Sequence, residues 1–202
     1  MKTTPILFST EMVQAILRGD KTQTRRTNGL KSLNDSPDDW LFANMTCTDG
    51  HKKEFFFRHK YFEGDGCDLL IACPYGKVGD LLWVRETFGQ GVSEKLYYKA
   101  DKGIVDQLVL SWKPSIHMPK AAARIWLRIT NIRVERLHEI IEEDAKAEGA
   151  PIGRVLGMGQ IGGSHREGFI ELWERINGFD SWSKNPWVWV VEFEVISKTG
   201  KS

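Results

Sequence analysis

The chain is expected to fold as an α+β or all-β barrel with a few peripheral helices. Short strand-like segments outnumber helical ones and are separated by irregular loops, which is typical of barrels rather than of βαβ repeats. The 202 residues suit one domain, or one domain with a long insertion. Apolar residues make up 41% of the chain and charged residues 27%, so the sequence can build a core and is not that of a disordered protein.

The first 30 residues predict a strand, a helix and a second strand. Residues 5–8 are apolar and strand-like, and Thr10 can cap a helix over residues 11–18, where apolar side chains recur at helical spacing. Gly19 is placed to end this helix, because glycine readily adopts the left-handed conformation of a helix end. Residues 22–26 follow as a short strand.

Residues 31–72 are expected to form an irregular insertion on the barrel, because several turn signals interrupt the pattern there. Within the insertion, residues 46–48 and 55–57 can pair as a hairpin across a turn at residues 49–50. The whole chain, residues 1–202, is therefore predicted to be a single domain that carries this insertion.

The longest predicted strand covers residues 124–137 and contains a change of phase. Apolar residues occupy odd positions up to Ile129 and even positions from Ile132 onward. A slip of one residue moves side chains to the other face of a strand, so the pattern predicts a β-bulge near Asn131.

The remaining elements are short. A helix is predicted over residues 138–148, with Ile141 and Ala145 facing the core, and another helix over residues 166–176. The other predicted strands cover residues 81–85, 96–99 and 187–196.

Charge and cysteine content indicate no particular partner. The 28 basic residues nearly balance the 27 acidic ones, although basic residues cluster in residues 18–31 and 113–136. Three cysteines are too few for a disulfide framework, and no apolar stretch approaches the roughly 20 residues of a membrane span. We therefore expect a cytoplasmic protein with reduced thiols and no membrane partner.

The segment most indicative of function follows the first helix and reads Gly-Asp-Lys-Thr-Gln-Thr-Arg-Arg. The glycine permits a sharp turn from which Lys21 can point inward. Thr22, Thr24 and Arg26 alternate onto one face of the strand that follows. An exposed basic turn is the alternative interpretation of the same residues.

This segment resembles the signature Gly-x-Lys-x-x-x-x-Arg of the ASCH domain family, whose fold is a PUA-like mixed β-barrel with peripheral helices, of α+β class. Most of that family has glutamate at the position of Thr24. The pattern Lys-Thr-x-Thr-x-Arg instead resembles a bacterial subgroup that hydrolyses N4-acetylcytidine. The resemblance implies that Lys21 and Thr24 act with a glutamate near the end of a later helix, and the Ala-x-x-Glu context of Glu148 matches it.

Two further segments are similar to phage- and prophage-type ASCH proteins. Residues 73–86 contain Cys-Pro-Tyr-Gly and Gly-Asp-x-Leu-Trp-Val-Arg-Glu, and residues 112–119 read Trp-x-Pro-Ser-Ile-His-Met-Pro. The resemblance implies that the second segment lines the cleft, and it leaves residues 31–72 unexplained. The expected substrate-binding residues are Thr22, Arg26, Arg85, Glu86, Trp112, Ser115 and His117.

Two other patterns suggest different chemistry. Residues 157–162 spell Gly-x-Gly-x-x-Gly, but the strand and βαβ unit of a dinucleotide site are missing, so a mobile loop or lid is expected there. A zinc site in the insertion stays open, although its spacing matches no common zinc finger. The residues concerned are Cys47, His51, His59, Cys67 and Cys73.

The three residues singled out by the resemblance suit amide hydrolysis, which needs a nucleophile, a base and a proton donor for the leaving amine. Thr24 is the candidate nucleophile, and Lys21 is the candidate base if burial or Arg26 lowers its pKa. Glu148 is the proton donor or the group that orients Lys21.

The predicted function is removal of an acyl group from N4-acylated cytidine or a related modified nucleoside, without a cofactor. A non-catalytic module that binds RNA or a nucleotide in the same basic cleft is the alternative, and a ribonuclease is a third possibility. Binding to long RNA that weakens strongly with salt would favour the module, whereas turnover of a free nucleoside would favour the enzyme.

Overall fold

The computed structural model describes residues 1–48, 52–61, 68–91, 95–101, 108–153 and 163–198, and these form an α+β fold in which strands predominate. The predicted α+β class is confirmed. The helices are α1 (Thr10–Arg18), α2 (Lys31–Asn34), α3 (Glu142–Ala147) and α4 (His165–Asn177). The strands are β1 (Thr3–Leu7), β2 (Gln23–Arg26), β3 (Trp40–Thr48), β4 (Lys52–His59), β5 (Asp68–Ala72), β6 (Leu81–Arg85), β7 (Phe88–Gly91), β8 (Leu96–Tyr98), β9 (Val109–Lys113), β10 (Trp126–Arg136) and β11 (Trp187–Ser197).

Five strands form the central sheet in the order β1-β6-β10-β11-β2, and only the β1–β6 pair is parallel. No backbone ladder joins β1 to β2 in the described part of the chain, so this sheet is not a closed barrel. A side chain spans the gap instead, because Arg26 Nη2 donates a hydrogen bond to the carbonyl oxygen of Leu7 at 2.6 Å. The short strand β2 is therefore an edge strand with one unpaired side.

The first helix forms nearly as predicted, but its cap is one residue earlier. The Ser9 hydroxyl accepts a hydrogen bond from the Met12 amide, so Ser9 rather than Thr10 is the N-cap. Gly19 ends the helix in the left-handed region at φ 89°, as predicted. The helix buries Val13 and Ile16 and delivers the chain into the turn before β2.

The bulge predicted in the long strand is confirmed. Strand β10 pairs with β11 along its length, and the register shifts between Ile129 and Asn131. Ile129 and Ile132 are both buried, because the extra residue turns the even-numbered side chains toward the core.

The predicted helix over residues 138–148 is shorter than expected. A 3₁₀ turn, Leu137–Glu139, comes first, and α3 begins only at Glu142. Ala145 is buried as predicted, but Ile141 is 57% exposed and Ile140 is buried in its place. The expectation for Ile141 was wrong because its backbone is extended, so its side chain does not share the helical phase.

The insertion is more regular than predicted. Strands β3, β4 and β5 form an antiparallel sheet, so the predicted hairpin is present, but its register differs: residues 46–48 pair with residues 52–54, and residues 55–57 pair with residues 42–45. Phe55 and Phe57 lie edge-on against Trp189 and Trp187 of β11, with ring centroids 4.8 and 5.2 Å apart. These side chains belong to the same buried cluster as the central sheet, so the insertion contributes to the core.

The helices of the described residues are all too short or too polar to cross a membrane.

We predict that Phe57→Ala lowers the free energy of unfolding by about 3–5 kcal/mol, because it leaves a cavity against Trp187. Phe56→Ala is the matched control on the same strand, because Phe56 lies on the opposite face and is only half-buried. Urea denaturation measures both variants. Equal losses would contradict the conclusion that one face of the insertion completes the core.

Candidate active site

Lys21 lies in the turn between α1 and β2, and its side chain is completely buried. The backbone of this turn is held from two sides. The Lys21 amide donates to the carbonyl oxygen of Ala15, and the Thr22 amide donates to that of Ala147 at 2.8 Å. The turn after α1 is thus joined to the end of α3, although 126 residues separate Lys21 from Ala147 in the sequence.

The Lys21 ammonium contacts Glu148 twice. Its Nζ lies 2.8 Å from Glu148 Oε2 and 2.7 Å from the Glu148 carbonyl oxygen. Gly149 permits this approach, because it has φ 71° and an added Cβ would lie 2.9 Å from the Ala15 Cβ and 3.0 Å from the Lys21 Cβ. The sequence prediction that Lys21 and Glu148 act together therefore corresponds to a direct buried contact.

Burial lowers the pKa of Lys21 below its ordinary value of 10.5, because desolvation disfavours the charged amine. The carboxylate of Glu148 opposes this shift, and the positive charges of Arg26 and Arg25 add to it. The Phe8 ring covers the amine, with its centroid 5.6 Å from Lys21 Nζ. The site thus holds a lysine that releases its proton more readily than an exposed one.

Arg25 fixes the other side of the Glu148 carboxylate. Its side chain is fully buried, and Nη1 lies 3.2 Å from Glu148 Oε1. The same guanidinium contacts Glu135 at 2.5 Å and Asp144 at 2.9 Å. The Glu148 carboxyl group is therefore held between Lys21 and Arg25, and its orientation depends on both.

An outer layer of charged groups surrounds Arg25. Arg133 contacts Glu135 and Asp144 at 2.9 and 3.0 Å, and Gln23 Nε2 donates to Asp144 Oδ1 at 3.0 Å. Partial burial raises the pKa of Asp144, but the hydrogen bond from Gln23 and the charges of Arg25 and Arg133 outweigh it and hold the pKa below its ordinary value. These contacts therefore favour the charged form of the Asp144 carboxylate.

A small cavity of about 80 Å³ lies beside this network, along the unpaired edge of β2. Thr24, Arg25, Arg26 and Glu148 line it from the β2 side, and Thr24 is buried. Helix α4 lines the opposite wall, with Phe169, Leu172, Trp173 and Ile176. We call this space the inner cavity; both Thr24 and Glu148, the residue that holds Lys21, line it.

Two capping interactions set the position of helix α4. The Ser164 hydroxyl accepts from the Glu167 amide in a capping box. The carboxylate of Glu142, the first residue of α3, accepts from the amides of His165 and Arg166 at 2.7 and 2.9 Å. These backbone hydrogen bonds lower the pKa of Glu142. The helix that covers the inner cavity is thereby tied to the helix that carries Glu148.

The two other residues predicted on the β2 face have different positions. Arg26 lines the inner cavity, and its guanidinium lies 5.2 Å from the Phe8 ring centroid. The side chain of Thr22 is exposed and lines none of the described cavities. Backbone bonds of Thr22 to Ala147 and Phe193 turn its side chain outward, so the structure gives no support to its predicted role in substrate binding.

The remaining predicted binding residues form a separate group, and none of them lines the inner cavity. Arg85 donates a hydrogen bond to the carbonyl oxygen of Ile116, within the 3₁₀ turn Ser115–His117 that contains Ser115 and His117. Trp112 belongs to β9, where Lys99 Nζ lies 4.8 Å from its ring centroid. The described contacts join none of these side chains directly to Lys21; Phe8, whose ring covers Lys21, donates its amide to the Arg85 carbonyl oxygen at 3.2 Å.

Glu86 has a structural partner. Its buried carboxylate accepts two hydrogen bonds from Arg124, at 2.9 and 3.0 Å. Burial raises the pKa of Glu86 despite this partner. The bidentate pair joins the end of β6 to the start of β10, so Glu86 acts in packing rather than at the inner cavity.

The predicted zinc ligands do not gather in the part of the chain that the structure describes, where no group of three or more potential ligands is present. His59 lies edge-on against Trp40, and Cys73 is buried, which raises its pKa to about 11. Of the other three members, Cys47 belongs to β3, whereas His51 and Cys67 lie outside the described residues, as does the Gly-x-Gly-x-x-Gly segment.

Sequence reasoning missed Arg25 and its carboxylate partners. Arg25 occupies an unspecified position within the motif and points to the opposite face of β2 from Thr24, and Glu135 and Asp144 lie more than 100 residues away. Comparison with family models, curated proteins and solved structures found no match to this chain. The arrangement of these residues is therefore the basis for assigning a function.

We expect Glu148→Gln to lower the free energy of unfolding by about 3–5 kcal/mol, because Lys21 and Arg25 would stay buried without their shared carboxylate. Glu143→Gln is the matched control, since Glu143 is exposed on the same helix; a change within about 0.5 kcal/mol is expected. Denaturant unfolding at neutral pH measures both. A small loss of unfolding free energy in the Glu148 variant would contradict a buried, charged contact of Glu148 with Lys21 and Arg25.

Proposed function

We propose that the protein is an amidohydrolase that removes the acyl group from N4-acylated cytidine or a related modified nucleoside. The observation that carries the proposal is the fully buried Lys21 amine, held by Glu148 beside a cavity that Thr24 lines. An amine of lowered pKa next to a hydroxyl group is a means of activating a nucleophile. The resemblance of residues 19–26 to ASCH amidohydrolases supplies the substrate class.

In the proposed first step, the Thr24 hydroxyl oxygen attacks the acyl carbonyl carbon while the neutral Lys21 amine accepts the hydroxyl proton. A carbon–oxygen bond forms and the bond from the acyl carbon to N4 breaks. The Lys21 ammonium then returns the proton to N4, which leaves as the free amine of cytidine. In the second step water cleaves the acyl-threonine ester, with Lys21 again as base, and releases the carboxylic acid.

Glu148 is assigned the orienting role rather than that of proton donor. Its two carboxylate oxygens each accept from a cation, Lys21 on one side and Arg25 on the other. Because both oxygens are engaged in this way, neither is free to contact the leaving amine. It holds the Lys21 amine in place during both proton transfers, and Arg25 holds Glu148.

The fold proposed with this function is an open form of the PUA-like fold of the ASCH family, in which the sheet does not close into a barrel. The mixed five-stranded sheet supports it, as does the helix between β1 and β2. The bond from Arg26 to Leu7 across the open side of the sheet also supports it. A modified nucleoside, free or within RNA, is the proposed partner.

The proposed reaction predicts that purified protein releases cytidine from N4-acetylcytidine, as measured by liquid chromatography. Thr24→Ala and Lys21→Met should each reduce kcat/KM by at least about 100-fold, because they remove the nucleophile and its base. Thr130→Ala is the control, since Thr130 is exposed on β10 far along the chain from the motif; its activity should equal that of the parent protein.

The same assay separates the candidate functions. Release that persists in both variants would disprove the roles of Lys21 and Thr24. No release by folded parent protein, together with salt-dependent binding of RNA, would replace the enzyme with a non-catalytic binding module.

Activity is expected to rise with pH, because only the neutral Lys21 amine can accept a proton. The midpoint should lie below 10.5, since burial lowers the pKa of this lysine. Arg25→Met should move the midpoint upward, because the charge of Arg25 contributes to the lowering. The pH dependence of kcat/KM measures both; a profile with no rise toward alkaline pH would exclude Lys21 as the base.

A further inference from the structure

The inner cavity is too small to hold a whole nucleoside. Its volume is about 80 Å³, whereas cavities that bind small molecules span about 300–1,000 Å³. A second cavity of about 750 Å³ shares three lining residues with it, namely Thr27, Trp173 and Asn177. We call it the outer cavity. A substrate whose acyl group reaches Thr24 has room for its remaining parts only in a neighbouring space such as this one.

Unsatisfied polar groups are concentrated along these two cavities. Five buried side-chain nitrogen or oxygen atoms of the described residues have no hydrogen-bond partner, and three belong to residues that line the cavities: Arg26 Nε, Trp173 Nε1 and Ser181 Oγ. The first two are donors only, and a serine hydroxyl can also donate. A buried donor without an acceptor is unfavourable, so this lining suits a ligand rich in acceptor oxygens.

The charges of the outer cavity favour an anion. Lys31 and Lys184 line it, both exposed toward solvent, against one acidic residue, Asp35. Lys31 pairs with Asp35 at 2.7 Å on the surface, where such a pair is weak and exchanges readily for a stronger anion. Arg26 adds a positive charge at the junction with the inner cavity. Phosphate combines negative charge with several acceptor oxygens, which matches this lining.

We infer that the outer cavity binds the phosphate of a phosphorylated nucleoside. This rests on the proposed function, and it narrows the substrate class to N4-acylated cytidine nucleotides. The acyl group lies in the inner cavity, where Thr24 attacks, and the base lies at the entrance of that cavity. The ribose passes Trp173. The phosphate lies in the outer cavity, where Lys31 and Lys184 neutralise it and Ser181 donates a hydrogen bond.

A third cavity, of about 580 Å³, also adjoins the inner one through Met12 and Leu172. Arg18, Lys146 and Arg175 line it against Glu11 and Asp20, so its charge does not distinguish it from the outer cavity; its polar groups do. None of its described lining residues carries an unpartnered buried polar atom. The substrate therefore extends from Thr24 past Trp173 into the outer cavity.

The test compares N4-acetylcytidine with its 5′-monophosphate. In the parent protein, kcat/KM for the nucleotide should exceed that for the nucleoside by at least about tenfold. The double variant Lys31→Gln/Lys184→Gln should bring this ratio close to one. Lys113→Gln is the matched control, because Lys113 is an exposed lysine of β9 that lines none of these cavities; it should keep the ratio of the parent.

Calorimetric binding of cytidine 5′-monophosphate and of cytidine gives an answer that does not depend on turnover. If the parent protein binds the monophosphate more tightly than cytidine and the double variant loses this difference, the phosphate site is supported. That result would support the site even if no substrate is hydrolysed, in which case only the proposed reaction fails. Equal turnover and equal binding of phosphorylated and unphosphorylated ligands would overturn the inference and leave the reaction standing.

A trinucleotide with N4-acetylcytidine at its centre distinguishes the source of the phosphate. If the mononucleotide is the better substrate, the site is one for free nucleotides. A preference for the trinucleotide that the double variant abolishes would support the phosphate site and assign it to the backbone of an RNA strand.

Discussion

The buried contact between Lys21 and Glu148 constrains much of this structure. A lysine with no solvent exposure keeps its charge only if acceptors surround its ammonium group, and Glu148 supplies both a carboxylate oxygen and a carbonyl oxygen. The end of α3 must therefore lie against the turn that follows α1. That approach in turn requires Gly149, because a Cβ there would collide with Ala15 and Lys21.

Arg25 extends this constraint to the central sheet. Strand β2 presents Arg25 on one face and Thr24 on the other, and both residues line the inner cavity, so this short strand contributes to the ionic network and to the cavity wall. Glu135 of β10 and Asp144 of α3 both contact Arg25, which connects the sheet with the helix that carries Glu148. Because one carboxylate is shared by two cations, a change at Arg25 alters both the position and the pKa of the lysine.

The packing of α4 against the central sheet leaves the cavities. Phe169 and Trp173 of α4 lie in one buried cluster with Val188 and Val190 of β11. The inner cavity lies between α4 and β2, and the outer cavity shares Trp173 with it. The position of α4 depends on the Glu142 carboxylate at its N-terminus, so the shape of the cavities depends on the same short helix that carries Glu148.

Local patterns in the sequence were sufficient for several elements. The alternation and its phase slip predicted β10 and its bulge, and Gly19 predicted the end of α1, because these features depend on neighbouring residues only. Helical spacing failed at Ile141, where a preceding 3₁₀ turn leaves the backbone extended. The regular sheet of the insertion was underestimated, because the pairing of Phe55 and Phe57 with the tryptophans of β11 is a contact over more than 100 residues.

For the candidate site, the sequence by itself determined which residue types were available: a lysine and a threonine three residues apart after a glycine turn, and a glutamate at the end of a later helix. Only the tertiary structure decided that Lys21 and Glu148 touch, that Arg25 is the second partner of Glu148, and that the group around Trp112 and His117 is elsewhere. The physical reason is that burial and charge pairing are properties of distant segments brought together, and they set the pKa of Lys21 independently of its neighbours in the chain.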